Sequence, residues 1–317
     1  MYDFSNFQYT DLCDNDILIC ALGYEVRSYY LLRKNWETRN KDNTLVILFE
    51  DLNRESLPPD LLDGINSSEI TTSVCSYTQG NKFQETVLKY LRGIAGTEFG
   101  NIYIDYSSMP RNWYCYLPHR VEETFSDTSI SLIFLYVPGI YPEEYEIYPT
   151  AGIDSLRLFS GGALPRIDSQ TTHLIALSYD TIRTQGLLDM LEPEFLIVCY
   201  VYDTPEKKAE IESLNEDIIR RASVSIAFPM DDFVYIMQKL NEIILEQTRD
   251  GQIVIIPDGP KPLILSMSLS SLLVDIEDGI TCLHVNRNEQ LENNKIPVSA
   301  REDKIYGVKI DINETSA

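Results

Sequence analysis

The sequence is short of positive charge: 26 Lys and Arg stand against 49 Asp and Glu, a formal net charge of -23 over 317 residues. A broad cationic face cannot be built from that balance, which argues against bulk nucleic-acid binding and against docking on anionic membranes and leaves only a local basic pocket. No apolar run approaches the roughly 20 residues that span a bilayer. The stretch Met1–Asp16 has neither a basic nor an apolar region, so no signal peptide is expected. Cys13, Cys20, Cys75, Cys115, Cys199 and Cys282 are scattered without a Cys-x-x-Cys pair. Free thiols in a cytoplasmic protein are therefore expected rather than a disulfide framework. His119, His173 and His284 stand far apart with no clustered ligands, so neither a metal nor a cofactor is expected. Also missing are G-x-G-x-x-G, G-x-x-x-x-G-K-S/T and G-x-S-x-G. Their absence removes the standard dinucleotide fingerprint, the P-loop and the serine-hydrolase elbow.

What is present is ample core material: 44% hydrophobic residues, with 20 Tyr and 11 Phe. Short runs rich in Ile, Leu, Val and Tyr recur at Ile17–Leu22, Leu45–Phe49, Ile102–Asp105 and Ile130–Val137. Helical patterns lie between them, at Arg27–Asn35, Pro59–Ile65, Phe83–Ile94 and Trp113–Phe125. Runs apolar at consecutive positions suit strands buried on both faces of a parallel sheet, and their alternation with helices points to an α/β fold. The second half repeats the order. Strands are expected at His173–Leu177, Phe195–Tyr202, Ser223–Phe228, Ile253–Ile256 and Ile280–Val285. Helices are expected at Gln185–Met190, Glu206–Ala222, Asp231–Gln247 and Lys261–Leu273.

The halves also agree in detail. Ala21-Leu22-Gly23-Tyr24-Glu25 aligns with Ala176-Leu177-Ser178-Tyr179-Asp180, and Met109-Pro110-Arg111 with Gly259-Pro260-Lys261, both at an offset of about 150 residues. Two Rossmann-like parallel-sheet halves related by internal duplication are expected. The Pro- and Gly-rich stretch Tyr141–Thr171 marks the boundary. It divides the chain into a first domain (1–150), a linker (151–171) and a second domain with a polar C-terminal tail (172–317), in which Ile305–Ile312 reads as an added edge strand.

Chemistry concentrates just after strands. Gly23-Tyr24-Glu25-Val26-Arg27-Ser28 follows the first; there Gly23 permits a tight turn, Arg27 and Ser28 stand at a helix start that favours an anion, and Glu25 serves as hydroxyl partner or base. Asp105-Tyr106-Ser107-Ser108-Met109-Pro110-Arg111 gathers an acid, two hydroxyls and a guanidinium, with Asp105 closing an apolar run where a carboxylate needs a partner. Asp258-Gly259-Pro260-Lys261-Pro262 presents one ammonium on a rigid loop, before a helix with small residues along one side. Tyr179, Asp180 and Arg183 form the second-half copy of the first loop, and Glu50 and Asp51 follow Phe49 where a dinucleotide fold would hold a ribose. Each of these has a plainer reading as a capped helix or turn.

At these loops the sequence resembles the CRISPR-associated Rossmann fold (CARF) sensors of bacterial defence. Asp105 to Arg111 fits that family's Asp-x-Thr/Ser-x-x-x-Lys/Arg loop, with Ser107 at the hydroxyl position and Arg111 at the basic one, and Gly259-Pro260-Lys261-Pro262 resembles its Gly-x-Lys-Pro variant. The resemblance implies that cyclic oligonucleotides or other nucleotide messengers bind between two such folds, and that some members slowly cleave what they bind. Two consecutive glycines usual in that loop are replaced here by Ser108 and Met109, which would crowd a phosphate lying on the backbone. No effector domain is evident, so output is expected through a protein partner or from the sensor itself.

Two functional readings follow. In the first, a sensor binds a small anionic ligand such as a nucleotide: Arg27, Arg111 and Lys261 neutralise it, Tyr24, Tyr106 or Tyr179 stack on a base, and the halves face each other about a pseudo-twofold axis. In the second, a nucleotide or nucleoside hydrolase uses Glu25 or Asp105 as general base. A plain alternative is an acidic scaffold subunit docking a basic partner.

Overall fold

The computed structural model of the protein describes residues 2–23, 25–37, 41–67, 70–94, 100–125, 129–140, 152–158, 170–249, 251–273, 279–286 and 298–312. The chain divides into two compact units, Met1–Glu144 with Lys295–Ala317 and Tyr145–Asn294. The first unit contains β1 (Tyr2–Gln8), β2 (Ile17–Leu22), α1 (Tyr30–Lys34), β3 (Thr44–Phe49), α2 (Pro59–Asn66), β4 (Thr71–Cys75), α3 (Gly80–Ile94), β5 (Ile102–Asp105), α4 (Arg111–Tyr114), α5 (Leu117–Thr124), β6 (Ile130–Tyr136) and β7 (Gly139–Ile140). The second contains β8 (Ser155–Leu158), β9 (Thr171–Ala176), α6 (Thr181–Leu191), β10 (Phe195–Tyr202), α7 (Pro205–Leu214), α8 (Glu216–Arg221), β11 (Val224–Pro229), α9 (Phe233–Gln247), β12 (Gln252–Ile256), α10 (Lys261–Leu273) and β13 (Ile280–Asn286). The chain then returns to the first unit with β14 (Ser299–Ala300) and β15 (Tyr306–Ile312).

Each unit is built on five parallel strands in one shared order. The first sheet runs β1-β15-β6-β5-β2-β3-β4 and the second β11-β10-β9-β12-β13-β8. Numbered within its own unit, each parallel core reads 3-2-1-4-5, and each fifth strand carries an antiparallel neighbour, β15 on β6 and β8 on β13. Corresponding strands start from 150 residues apart (Ile102 to Gln252, Ile130 to Ile280) to 154 apart (Ile17 to Thr171). The chain is thus α/β with two Rossmann-like halves.

The central strands form because their side chains have apolar surroundings on both sides. β2 and β12 are buried at every position, and β9 and β5 flank them as parallel partners. Helices cover the faces with spaced apolar residues: α3 buries Phe83, Val87, Leu88 and Leu91, and α9 buries Phe233, Ile236, Met237, Leu240 and Ile244. Cap chemistry sets their starts. Asp180 accepts from the Arg183 N–H to begin α6, Thr204 does so for α7 ahead of Pro205, and Asp232 for α9.

Several expectations are corrected. The C-terminal strand belongs with the first unit and is no edge strand: β15 lies between β6 and β1, and β1 forms the edge. Its buried Val308, Ile310 and Ile312 alternate with partly exposed residues, the pattern of an antiparallel strand with one face on a core. The expected linker contains β8, which pairs with β13. Glu206–Ala222 is two helices, because the Asn215 amide turns back onto the Ile211 carbonyl at 3.0 Å and the Ser178 carbonyl at 3.2 Å. Trp113–Phe125 is likewise split, with Pro118 in the first turn of α5. Finally, α9 begins at Phe233, behind the Asp232 cap, rather than at Asp231.

Glu192 ends α6 in the left-handed region, at φ 44° and ψ 54°. A side chain there is strained where glycine is not, so Glu192→Gly is expected to raise stability by about 0.5–1 kcal/mol. Denaturant unfolding checks this, and a less stable variant contradicts it.

Candidate ligand-binding site

In the strand order 3-2-1-4-5, successive crossovers change direction between the first and fourth strands. That switch point is where ligands bind in open α/β sheets, beyond the carboxyl ends of the strands. In the first unit it lies between β2 and β5, which are direct neighbours, with Cys20 paired to Asp105. In the second unit it lies between β9 and β12, with Ile175 paired to Ile256. The loops singled out from sequence are the ones that leave these strands.

In the first unit they form one bonded network. Ser28 Oγ lies 3.3 Å from the Gly23 N–H, whose hydrogen bond it accepts, and closes the turn after β2. Arg27 is buried; its Nε donates to Glu25 Oε2 at 2.8 Å and its Nη1 to the Val137 carbonyl at 3.3 Å. The guanidinium also lies over the Tyr136 ring, 5.7 Å from its centroid, and the Arg27 N–H donates to the Val298 carbonyl. Gly139 makes room for this crossing, because a Cβ there would stand 2.2 Å from Val298 and 3.1 Å from Arg27 Nη1. Arg27 therefore staples the β2 loop to the end of β6 and to the returning C-terminal segment, whereas a ligand clamp was expected.

Asp105 is only 2% exposed. Its Oδ1 accepts from the Ser107 N–H at 3.0 Å and from the Ser107 hydroxyl, which itself accepts from the Val137 N–H at 2.8 Å. Ser108 donates to the Ala21 carbonyl at 2.7 Å, tying this loop to β2. Tyr106 is buried against Tyr114, Phe134 and Tyr136, and burial pushes its hydroxyl pKa far above the usual value. A ring so enclosed cannot stack on a ligand, contrary to the expectation for Tyr106. Tyr24, the other stacking candidate of this unit, lies outside the described residues. Arg111, the first residue of α4, is partly exposed.

The second unit has a corresponding arrangement. Arg183 is buried between two acids: Nε meets Asp258 Oδ2 at 2.6 Å, and Nη1 meets Asp180 Oδ2 at 3.2 Å. The Asp258 side chain is 0% exposed. Gly259 presses on the tip of β9, where a Cβ would come within 2.9 Å of Ala176 Cβ and 3.1 Å of the Leu177 carbonyl. Lys261 opens α10 and is partly exposed, as is Tyr179, over whose ring the Lys207 ammonium sits. Each unit thus buries one arginine of its first loop on a carboxylate two or three residues earlier, Glu25 or Asp180.

The chain matches no family model and no curated protein.

Sequence reasoning did not single out Val298, which enters through its backbone carbonyl and so leaves no side-chain signal. Two depressions of the second unit lie away from its switch point. One, of about 600 Å³, is walled by Tyr200, Lys208, Glu212, Glu216, Ile219 and Ala227. An anion entering it would meet two carboxylates against one ammonium. The other, of about 500 Å³, lies beside Asp189, Glu192 and Arg221.

His173 is half-buried in β9, its Nδ1 has no hydrogen-bond partner among the described residues, and burial lowers its pKa. The unfolded state then binds a proton more readily than the folded one, so this residue's contribution to stability is present at neutral pH and fades as pH drops below about 6.5 towards the folded value. His173→Gln is expected to flatten the fall of Tm between pH 7 and pH 5, and an unchanged slope contradicts that reading.

Proposed function

We propose that the chain is a sensor that binds a small anionic ligand of the nucleotide class at its switch-point loops. The observation that carries this reading is that, in both units, the loops bearing the candidate residues flank the switch point of a 3-2-1-4-5 parallel sheet. Arg27 and Arg183 hold the loops in shape through buried ion pairs. Arg111 in the first unit and Lys261 in the second, partly exposed where α4 and α10 begin, each meet an anion at the switch point of their own unit. In a body of net charge -23, cations at these tips focus anions onto them.

The likeness of Asp105–Arg111 and Gly259–Pro262 to CARF loops supports a nucleotide messenger, a place in a bacterial anti-phage defence system, and a protein partner that carries the output. The shared strand order supports an origin by internal duplication, and cysteines scattered without a Cys-x-x-Cys pair are in keeping with a cytoplasmic protein. The hydrolase reading is less well supported. Asp105 is buried on Ser107 and Glu25 is engaged by Arg27, so both acids serve as loop anchors.

Calorimetric titration with a panel of nucleoside mono-, di- and triphosphates and cyclic dinucleotides tests the proposal. Arg111→Ala and Lys261→Ala are each expected to weaken binding by about 1–3 kcal/mol, the worth of a charge-assisted hydrogen bond. Unchanged affinity in both variants contradicts it, as does intact protein that binds nothing in the panel.

A further inference from the structure

β11 forms one margin of the second sheet: it pairs with β10 and ends the strand order. Every second N–H and C=O of such a strand points away from its neighbour, and proteins usually blunt that edge with charge, proline or a bulge. β11 has little of this protection. Its first five residues, Val224-Ser225-Ile226-Ala227-Phe228, carry no charge, and proline enters only at Pro229. Register with β10 runs one to one from Ile197–Val224 to Tyr202–Pro229, so no bulge interrupts it. Val224 is 46% exposed, and Ser225 is exposed as well.

The depression of about 600 Å³ lies against this margin, with Ser225 and Ala227 in its wall beside Tyr200, Glu212, Glu216 and Ile219. Being two apart, Ser225 and Ala227 share the sheet face of Tyr200, to which Ala227 is paired, and their small side chains leave that face hollow against α7 and α8. The Tyr200 hydroxyl donates to Glu212 Oε1 at 2.6 Å and so holds that carboxylate at the wall. The same oxygen lies 3.8 Å from the Lys208 ammonium, which also sits over the Tyr202 ring. Glu216 is paired with Arg220 at 2.6 Å, an exposed pair that a competing cation can replace at little cost. With two carboxylates against one ammonium in the wall, and a net charge of -23 on the whole chain, the field here favours a cation. A second copy of the chain would bring another 23 negative charges, whereas a basic segment is drawn in.

We propose that β11 and this groove dock a basic, extended segment of a partner protein. The segment adds as a further strand beside β11 and pairs with its outward amides, while alternate lysine or arginine side chains reach over Ser225 and Ala227 to Glu212 and Glu216. Their aliphatic stems lie along Tyr200 and Ile219. This goes beyond the ligand reading and does not rest on it.

The test is fluorescence anisotropy with a labelled, end-capped nonapeptide of alternating lysine and valine. Two further peptides act as controls: one with glutamate for lysine, and one with alternate backbone nitrogens methylated, which keeps the charge and loses the strand hydrogen bonds. Each should bind about tenfold or more weakly than the first. Ser225→Lys, which sets an ammonium in the groove, should weaken the lysine peptide by about tenfold or more. Glu212→Gln/Glu216→Gln should weaken it about twofold to tenfold. Asp63→Asn/Glu85→Gln makes the same change of charge on the first unit and should leave binding as it is; near-ultraviolet circular dichroism confirms that all three variants stay folded. An equal loss in Asp63→Asn/Glu85→Gln would overturn the proposal by showing general attraction to an acidic protein. Undiminished binding of the methylated peptide would overturn strand addition, and no binding of the lysine peptide would overturn the site. A dimer in sedimentation that Ser225→Lys dissociates would give the edge to a second copy and overturn the basic partner. None of these failures touches the ligand reading, which has its own titration.

Discussion

Replacing Asp258 with alanine is expected to destabilise the second unit by about 3–5 kcal/mol, since it strands the Arg183 guanidinium without its nearest counter-charge. Arg183 is 3% and Asp258 0% exposed, so neither group can turn to water when the other is removed. Arg183→Ala should cost a similar amount for the reciprocal reason. The double variant Arg183→Met/Asp258→Leu should recover most of the loss, because apolar side chains of similar volume need no counter-charge there. The exposed pairs of Arg220 with Glu216 and Asp217 provide the internal control. Breaking them with Arg220→Ala should change stability by no more than about 0.5 kcal/mol. Guanidinium chloride unfolding separates these cases, and an Asp258→Ala loss no greater than that of Arg220→Ala would contradict the buried latch.

The second large effect is expected at Trp113. Truncation to alanine removes the middle ring of the Phe49–Trp113–Phe83 column at a position with no solvent access, and a loss of about 3–5 kcal/mol is expected. Among the described residues the indole N–H has no hydrogen-bond partner, so a smaller ring breaks no polar contact there. Trp113→Phe should therefore cost well under half as much, through reduced packing alone. Loss of the ring should also loosen α4 and with it the placement of Arg111. A Trp113→Ala protein as stable as Trp113→Phe would show that the column does not hold this helix.

These two positions show what was legible in the sequence. The central strands could be read because burial on both faces leaves uninterrupted apolar runs: Ile17–Leu22, Ile102–Asp105 and Phe195–Tyr202 fall where expected. β4 (Thr-Thr-Ser-Val-Cys) and β1 are sheet-margin strands with weak apolar content, and they were not expected. Placement of the last strand in the first sheet depends on pairing over nearly the whole chain length, as between Tyr2 and Ile312, which local pattern does not encode. At the site, the candidate loops could be found because charge next to a strand end is costly unless it is used. How it is used could not. Arg27 and Arg111 look alike as letters, yet one is buried on Glu25 and Val137 while the other is partly exposed. The Phe49–Trp113–Phe83 column joins residues from three elements whose spacing has no period.

Hydrogen–deuterium exchange, read by mass spectrometry with and without a saturating nucleotide from the panel, tests the location of the ligand most directly. The account predicts added protection in the peptides containing Gly23–Ser28 and Asp105–Arg111, and in those containing Tyr179–Arg183 and Asp258–Lys261. Protection confined to α7, α8 and β11, around Glu212 and Glu216, would place the ligand elsewhere and contradict it.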